Sequence, residues 1–429
     1  MRRIRKMTEQ ERMQWFRDAK LGLFIHWGPY SLLGRCEWAF RLDGYKVKEY
    51  EKVAEGFTGD GFDADQWCAM AVKAGMKYIV LTARHHDGYC LFDSKVSPFT
   101  SVKGTPKRDF IREYTDAARR AGLKVGLYYS LVDWRYKGAW DHDRYPESVA
   151  AMVQQAHDQV RELMTDYGRI DLLWYDGAQV TTWEWKEHED IAEFWRAREL
   201  NAMVRGLQPH IVINNRSGTV EDYVTPERKI EASKEGLPWE SCLSICPLSW
   251  SYVPDSPNRK TAAAILRDLI EIAAGGGNLL LNTGPKPDGS MNETEIGSIL
   301  EAGDWVKRNA EMVYHARRSP LNEFGPHGPN GCLGRWIGSD DPRVHYLAAI
   351  GWSGREFWSV RIEGKVESVT IVGSGESVAY RQEGFGRLIL QDLPDMPSEP
   401  HFTVFKVTFA EPPKAQREYS RAEWIESDL

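Results

Sequence analysis

The chain has 429 residues, 42% of them hydrophobic and 27% charged, and carries a formal net charge of −7. This length exceeds the roughly 250 to 300 residues at which a single core stops growing, so two domains are expected. No apolar stretch nears the roughly 20 residues of a membrane span, no basic run could track phosphates, and the charged start MRRIRKMTEQERMQWF lacks a signal-peptide core. Membrane and nucleic-acid partners are therefore not expected, and a cytoplasmic location is.

Six apolar runs, each ending on chemically competent residues, punctuate the first two thirds: LGLFIHW, YIVLTARHHDG, VGLYYSLVDW, IDLLWYDG, IVINNR and NLLLNTG. Between them lie segments with helical apolar spacing, at residues 64–75, 109–122, 148–168, 191–207, 261–277 and around 293–313. Strand and helix in alternation predict crossover units and a mainly parallel sheet. The carboxyl ends of such strands share one face, so polar groups from His26 to Asn282 can meet in one cleft. An irregular (β/α) barrel is preferred over an open sheet.

After about residue 315 the helical spacing stops, and short β-rich runs follow: VHYLAAIGW, FWSVRIEG, SVTIVG, SVAYRQ, GRLILQ and TVFKVTF. These predict an antiparallel β-sandwich. The expected organisation is a barrel over 1–315, a sandwich over 316–410 and a charged tail over 411–429.

The six cysteines, at 36, 68, 90, 242, 246 and 332, form no CxxC pair and are expected to be free structural thiols. Neither GxGxxG nor GxxxxGK[ST] is present, so no cofactor is expected. The aromatic share of 12% suits either a carbohydrate ligand or core packing.

Asp176 ends the fourth run with Gly177 behind it, a suitable address for a nucleophilic carboxylate, although aspartate also caps turns there. A proton donor is also needed, because an alkoxide leaves badly unprotonated. Glu240 and Glu37 each neighbour a tryptophan that can raise a carboxyl pKa. His85, His86 and His26 resemble metal ligands, but neighbours on a strand face opposite ways and no HxH or HExxH occurs. Contacts to ligand hydroxyls are the preferred role, with a metal-dependent hydrolase as the other reading. Arg216, Tyr129 and Trp174 complete a set suited to a sugar.

Taken together, these stretches closely resemble glycoside hydrolase family 29, the α-L-fucosidases. The matching segments are AKLGLFIHWGPYS, CEWAF, GMKYIVLTARHHDGYCLFDS, GLKVGLYYSLVDW, YGRIDLLWYDG, NNR, PWESCLSICPLSWSY and GGGNLLLNTGPKPDG, in the family's order. The resemblance implies a retaining exo-α-L-fucosidase acting on fucosylated oligosaccharides or glycans. It implies Asp176 as nucleophile and Glu240 as acid/base, with Glu37 as fallback. It further implies His26, His85, His86, Tyr129, Trp174 and Arg216 around the sugar, Glu37 and Trp38 near its hydroxyls, and Trp250 at the pocket. EWAF and SWSY depart from the family's usual EW-aromatic and SWGY, which leaves linkage and preference among fucose-like sugars such as L-galactose open. A fucose-binding protein without catalysis is the alternative from another class.

Overall fold

A computed structural model describes residues 8–179, 188–233, 236–322, 333–384, 386–397 and 399–416. Cys332 and the tail from residue 417 lie outside them; the other five cysteines are free thiols. The chain forms two compact units, one of residues up to Ile265 with Asn278–Gly303, the other of Leu266–Gly277 with residues from Asp304 onward. The boundary expected at 315 from the loss of helical spacing falls inside the second unit. No helix among the described residues is long and apolar enough to cross a membrane.

The first unit is a curled sheet of seven parallel strands: β1 (Leu21–Ile25), β2 (Tyr78–Arg84), β3 (Lys124–Ser130), β4 (Leu172–Asp176), β5 (Val212–Ile213), β6 (Glu240–Ser244) and β7 (Asn278–Thr283). Their order is β5-β4-β3-β2-β1-β7-β6. Six strands come from the six apolar runs. The seventh, β6, has the sequence ESCLS, whose polar residues hid it; Glu240 and Ser244 find hydrogen-bond partners in the interior, which makes their burial tolerable.

Strands β5 and β6 are the sheet's edges, and the segment Asp222–Arg228 runs between them. Tyr223 bridges Asn214 on one side, while Val224 and Glu227 bridge Trp239 and Cys242 on the other, all in parallel. Pro226 has no N–H to donate, so this connection cannot become a regular strand, yet it closes the barrel.

Local signals account for the helices. Asp63 and Asp109 accept from the backbone N–H groups of Gln66 and Arg112, capping Ala64–Lys73 and Phe110–Arg120. Proline opens the long helix Pro146–Asp166, where its missing N–H costs nothing. The single helix expected over 191–207 is two, His188–Phe194 and Ala197–Leu207, separated at Arg196, whose φ is +49°.

Within the barrel, alternate residues face inward in layers. The interior cluster includes Phe24, Val80, Tyr128, Leu172, Trp174, Cys242 and Leu280, and helix α1 (Glu9–Ala19) adds Met13 and Phe16 to it. Gly22 on β1 is required here, since a Cβ would lie 2.4 Å from the Tyr78 ring.

The second unit holds a five-stranded antiparallel sheet of β8 (Arg317–Arg318), β9 (Gly334–Gly338), β10 (Val344–Ala349), β13 (Val366–Ile371) and β16 (Thr403–Phe409). A three-stranded sheet contains β11 (Phe357–Ser359), β14 (Ala379–Glu383) and β15 (Arg387–Gln391); β12 (Ile362–Glu363) pairs with β17 (Lys414–Ala415). Trp336, Leu347 and Phe405 of the larger sheet share one core with Phe357, Leu388 and Leu390 of the smaller. This is the sandwich expected from the closely spaced β runs. The fold class is thus a TIM-like parallel barrel with a carboxyl-terminal antiparallel sandwich.

Candidate active site

A cavity of about 380 Å³ opens at the carboxyl ends of the barrel strands. Of the residues expected there, His26, Trp38, His85, His86, Trp174, Asp176, Arg216 and Trp250 line it. Tyr129, Glu37 and Glu240 do not.

Asp176 is the last residue of β4, opposite Ser130 of β3. Tyr128 Oη donates to its Oδ2 at 2.8 Å and Arg216 Nη1 lies 3.2 Å from its Oδ1, while His86 Nε2 faces Oδ2 across 3.7 Å. Burial pushes its pKa up, but the Arg216 guanidinium, with help from Tyr128, outweighs burial and holds the carboxyl below the usual value. Asp176 is an anion at neutral pH. Gly177 behind it has φ +67°, and a Cβ would lie 2.7 Å from Ser130 Oγ and 3.0 Å from His86 Nδ1, so the turn that presents Asp176 needs glycine.

The histidines are neutral acceptors. Burial pushes the pKa of His86 down to about 4, and lowers those of His26 and His85. Ser130 Oγ donates to Val132 O, so it must accept from His86 Nδ1 at 2.7 Å. Asn282 Nδ2 donates to Ser244 Oγ and Trp250 O, which leaves its Oδ1 to accept from His26 Nδ1 at 2.7 Å. Both imidazoles are thereby fixed with a bare Nε2, an acceptor for a ligand hydroxyl. His85 and His86 both reach the cavity because they lie beyond the end of β2, past a register shift between Thr82 and Arg84, where strand alternation no longer applies. His85 Nδ1 is buried without a partner among the described residues, a polar atom left for a ligand. No group of three or more His, Cys, Asp and Glu among the described residues is placed to hold a metal ion.

Tyr129 requires correction. Its ring packs against Arg84 and its Oη donates to Gln159 of the helix outside the sheet. Tyr128 occupies the place assigned to it, since a one-residue slip along a strand reverses the face. The pairing of β3 with β4 decides the face: Trp174 and Asp176 face inward, and their β3 counterparts are Tyr128 and Ser130.

Glu240 also differs from its expected role. It begins β6, two residues below Cys242 on the cavity wall, and is fully buried. Its Oε2 accepts from Tyr78 Oη at 2.5 Å and its Oε1 from Trp174 Nε1 at 3.0 Å. Burial raises its pKa to about 7, against the lowering effect of the Tyr78 and Trp174 hydrogen bonds, and the group sits beneath the cavity. Glu37 Oε2 accepts from Ser249 Oγ and the backbone N–H groups of Trp250 and Ser251, so it braces the loop that carries Trp250.

The carboxylate that reaches the cavity beside Asp176 is Glu227, which the sequence reading missed. It lies on the irregular connection DYVTPER, whose short polar text carries no strand or helix period. Its Oε2 is 2.8 Å from Arg216 Nη1, the nitrogen that also contacts Asp176, and its side chain is 42% exposed. Arg216 is held over the Trp174 ring, 4.5 Å from its centroid, and Nε donates to Thr225 Oγ1 at 2.7 Å.

A model described as alpha-L-fucosidase matches residues 2–311. The chain belongs to the α-L-fucosidase family. It is 31% identical over 353 residues to the human plasma alpha-L-fucosidase, covering 73% of this chain and 72% of that protein. Among solved structures, α-L-fucosidase isoenzyme 1 from Paenibacillus thiaminolyticus superposes with a TM-score of 0.83 at 29% identity, covering 94% of this chain and all of the other. The Thermotoga maritima α-fucosidase, solved in complex with fucose, gives 0.74 at 27%, covering 92% and 96%. As a member of the α-L-fucosidase family, the protein is a glycoside hydrolase, and its family motifs converge on the cavity built around Asp176 and Arg216.

Proposed function

We propose that this enzyme is a retaining exo-α-L-fucosidase that releases terminal fucose from fucosylated glycans or oligosaccharides by double displacement. Asp176 attacks the anomeric carbon while Glu227 gives a proton to the departing oxygen. Glu227 then takes a proton from water, which cleaves the fucosyl-Asp176 ester. The supporting observation is that both carboxylates contact one nitrogen of Arg216, which keeps their bonded oxygens within about 6 Å of each other. Retention needs carboxyls about 5 to 5.5 Å apart, whereas inversion leaves room for a water at about 6.5 to 9.5 Å. His26 and His86 accept from sugar hydroxyls, and the Trp38, Trp174 and Trp250 faces offer apolar walls to the ring.

Proton NMR of a fresh digest of an aryl α-L-fucoside tests this reading. Appearance of α-L-fucose before mutarotation is the expected result. First appearance of the β anomer overturns retention, and binding of fucose without turnover of any fucoside supports the non-catalytic alternative. An aryl α-L-galactoside in the same assay reports the preference among fucose-like sugars.

A further inference from the structure

A second cavity of about 330 Å³ adjoins the first and shares Arg41 and Trp134 with it. Phe40, Tyr45 and Trp140 supply aromatic wall, Lys46 adds a second cation, and no carboxylate lines it among the described residues. Trp140 is 46% exposed, yet its Nε1 donates to Trp134 O at 2.7 Å, so an indole face is held open to solvent in a defined orientation. Arg41 lies 5.7 Å from the ring centroids of both Trp38, a wall of the sugar cavity, and Trp140. Its guanidinium has no ion pair or side-chain hydrogen bond among the described residues, and the nearby Asp43 pairs with Arg35 at 3.0 Å. Contact with ring faces consumes none of the guanidinium N–H donors, which stay available to grip a planar or tetrahedral anion. Apolar ring surface next to an unspent fork describes a site for a saccharide that carries negative charge.

We propose that this second cavity binds a further ring of the glycan bearing an anionic group, a sulfate ester or a carboxylate, with the ring against Trp140 and the anion on Arg41. Its use in catalysis rests on the fucosidase reading above; the binding itself does not.

Calorimetric titration of the full-length protein with three saccharides that lack fucose tests the binding: 6-sulfo-N-acetyllactosamine, a glucuronic-acid-containing disaccharide, and neutral N-acetyllactosamine. At low salt, at least one anionic probe is expected to bind roughly tenfold or more tighter than the neutral one, the worth of one charge-assisted contact. In Arg41→Met that ratio falls toward one. Arg41→Lys, which keeps the charge without the fork, retains part of it, and Trp140→Ala weakens all probes together. The sulfate and glucuronate arms separate the two sources of charge. Equal binding of all three probes, or a ratio unchanged in both Arg41 variants, overturns the proposal. Fucoside turnover is scored separately: charge-selective binding without it rejects the fucosidase reading alone, and turnover without charge-selective binding rejects the second site alone.

Discussion

Asp176 and Glu227 share a single nitrogen of Arg216, at 3.2 and 2.8 Å. The two differ in surroundings: Asp176 also accepts from Tyr128, while Glu227 faces solvent at the cavity mouth. One is held ionised and still, and the other can meet both a leaving oxygen and a water. That asymmetry is what a double displacement asks of its two carboxyl groups.

Asp176→Asn is expected to lower kcat by on the order of 10³-fold or more while leaving the thermal transition in place, because no other group is positioned to form the covalent bond. With Asp176→Gly and azide, the recovered product should be the β-fucosyl azide. Full activity in Asp176→Asn removes the nucleophile assignment.

Glu227→Gln should cost roughly 10² to 10⁴-fold with a poorly activated oligosaccharide, the range for loss of a positioned acid. The penalty should shrink with an aryl leaving group that departs without a proton. A leaving-group series in kcat/KM checks this; an equal loss across the series speaks for structural damage instead.

Glu240→Gln separates the buried carboxyl from the acid/base role. Its pKa rises from an ordinary 4.5 to about 7, so the folded state binds the proton more tightly than the unfolded chain. Its contribution to stability is fully present below pH 4.5, declines as pH rises, and is lost above about 7. The change is about 3.5 kcal/mol at most, from 1.4 kcal/mol per pKa unit. Glu240→Gln should flatten this part of the melting-temperature profile against pH and retain turnover of oligosaccharides. Loss of turnover selective for poor leaving groups would return Glu240 to the donor's place.

Tyr128→Phe removes a donor to an ionised carboxylate, a contact worth about 1.5 to 3 kcal/mol, so kcat/KM should fall by one to two orders of magnitude. Tyr129→Phe leaves the catalytic constants near wild type and lowers stability through the lost bond to Gln159. Kinetics and melting of both variants decide the face of β3; the opposite pattern would restore Tyr129.

Most of the barrel was legible because parallel strands buried on both faces must be continuous apolar runs, and six of seven here are. Asp176, Arg216 and the histidines were legible for a related reason, since each stands where such a run stops. Strand β6 was not, because its buried glutamate is satisfied by partners distant in the chain, Tyr78 and Trp174.

The local text sufficed wherever chemistry follows from a strand's end: the two architectures, the carboxylate of Asp176 at the cavity, the arginine beside it and the histidine set. It chose Tyr129 where Tyr128 faces inward, because that face depends on register against a neighbouring strand, and a single residue reverses it. It also pointed to a glutamate that does not line the cavity. Burial raises the pKa of Glu240, and only the closed barrel decides that this carboxyl lies below the cavity while Glu227, on an irregular connection with no period to announce it, arrives at its mouth.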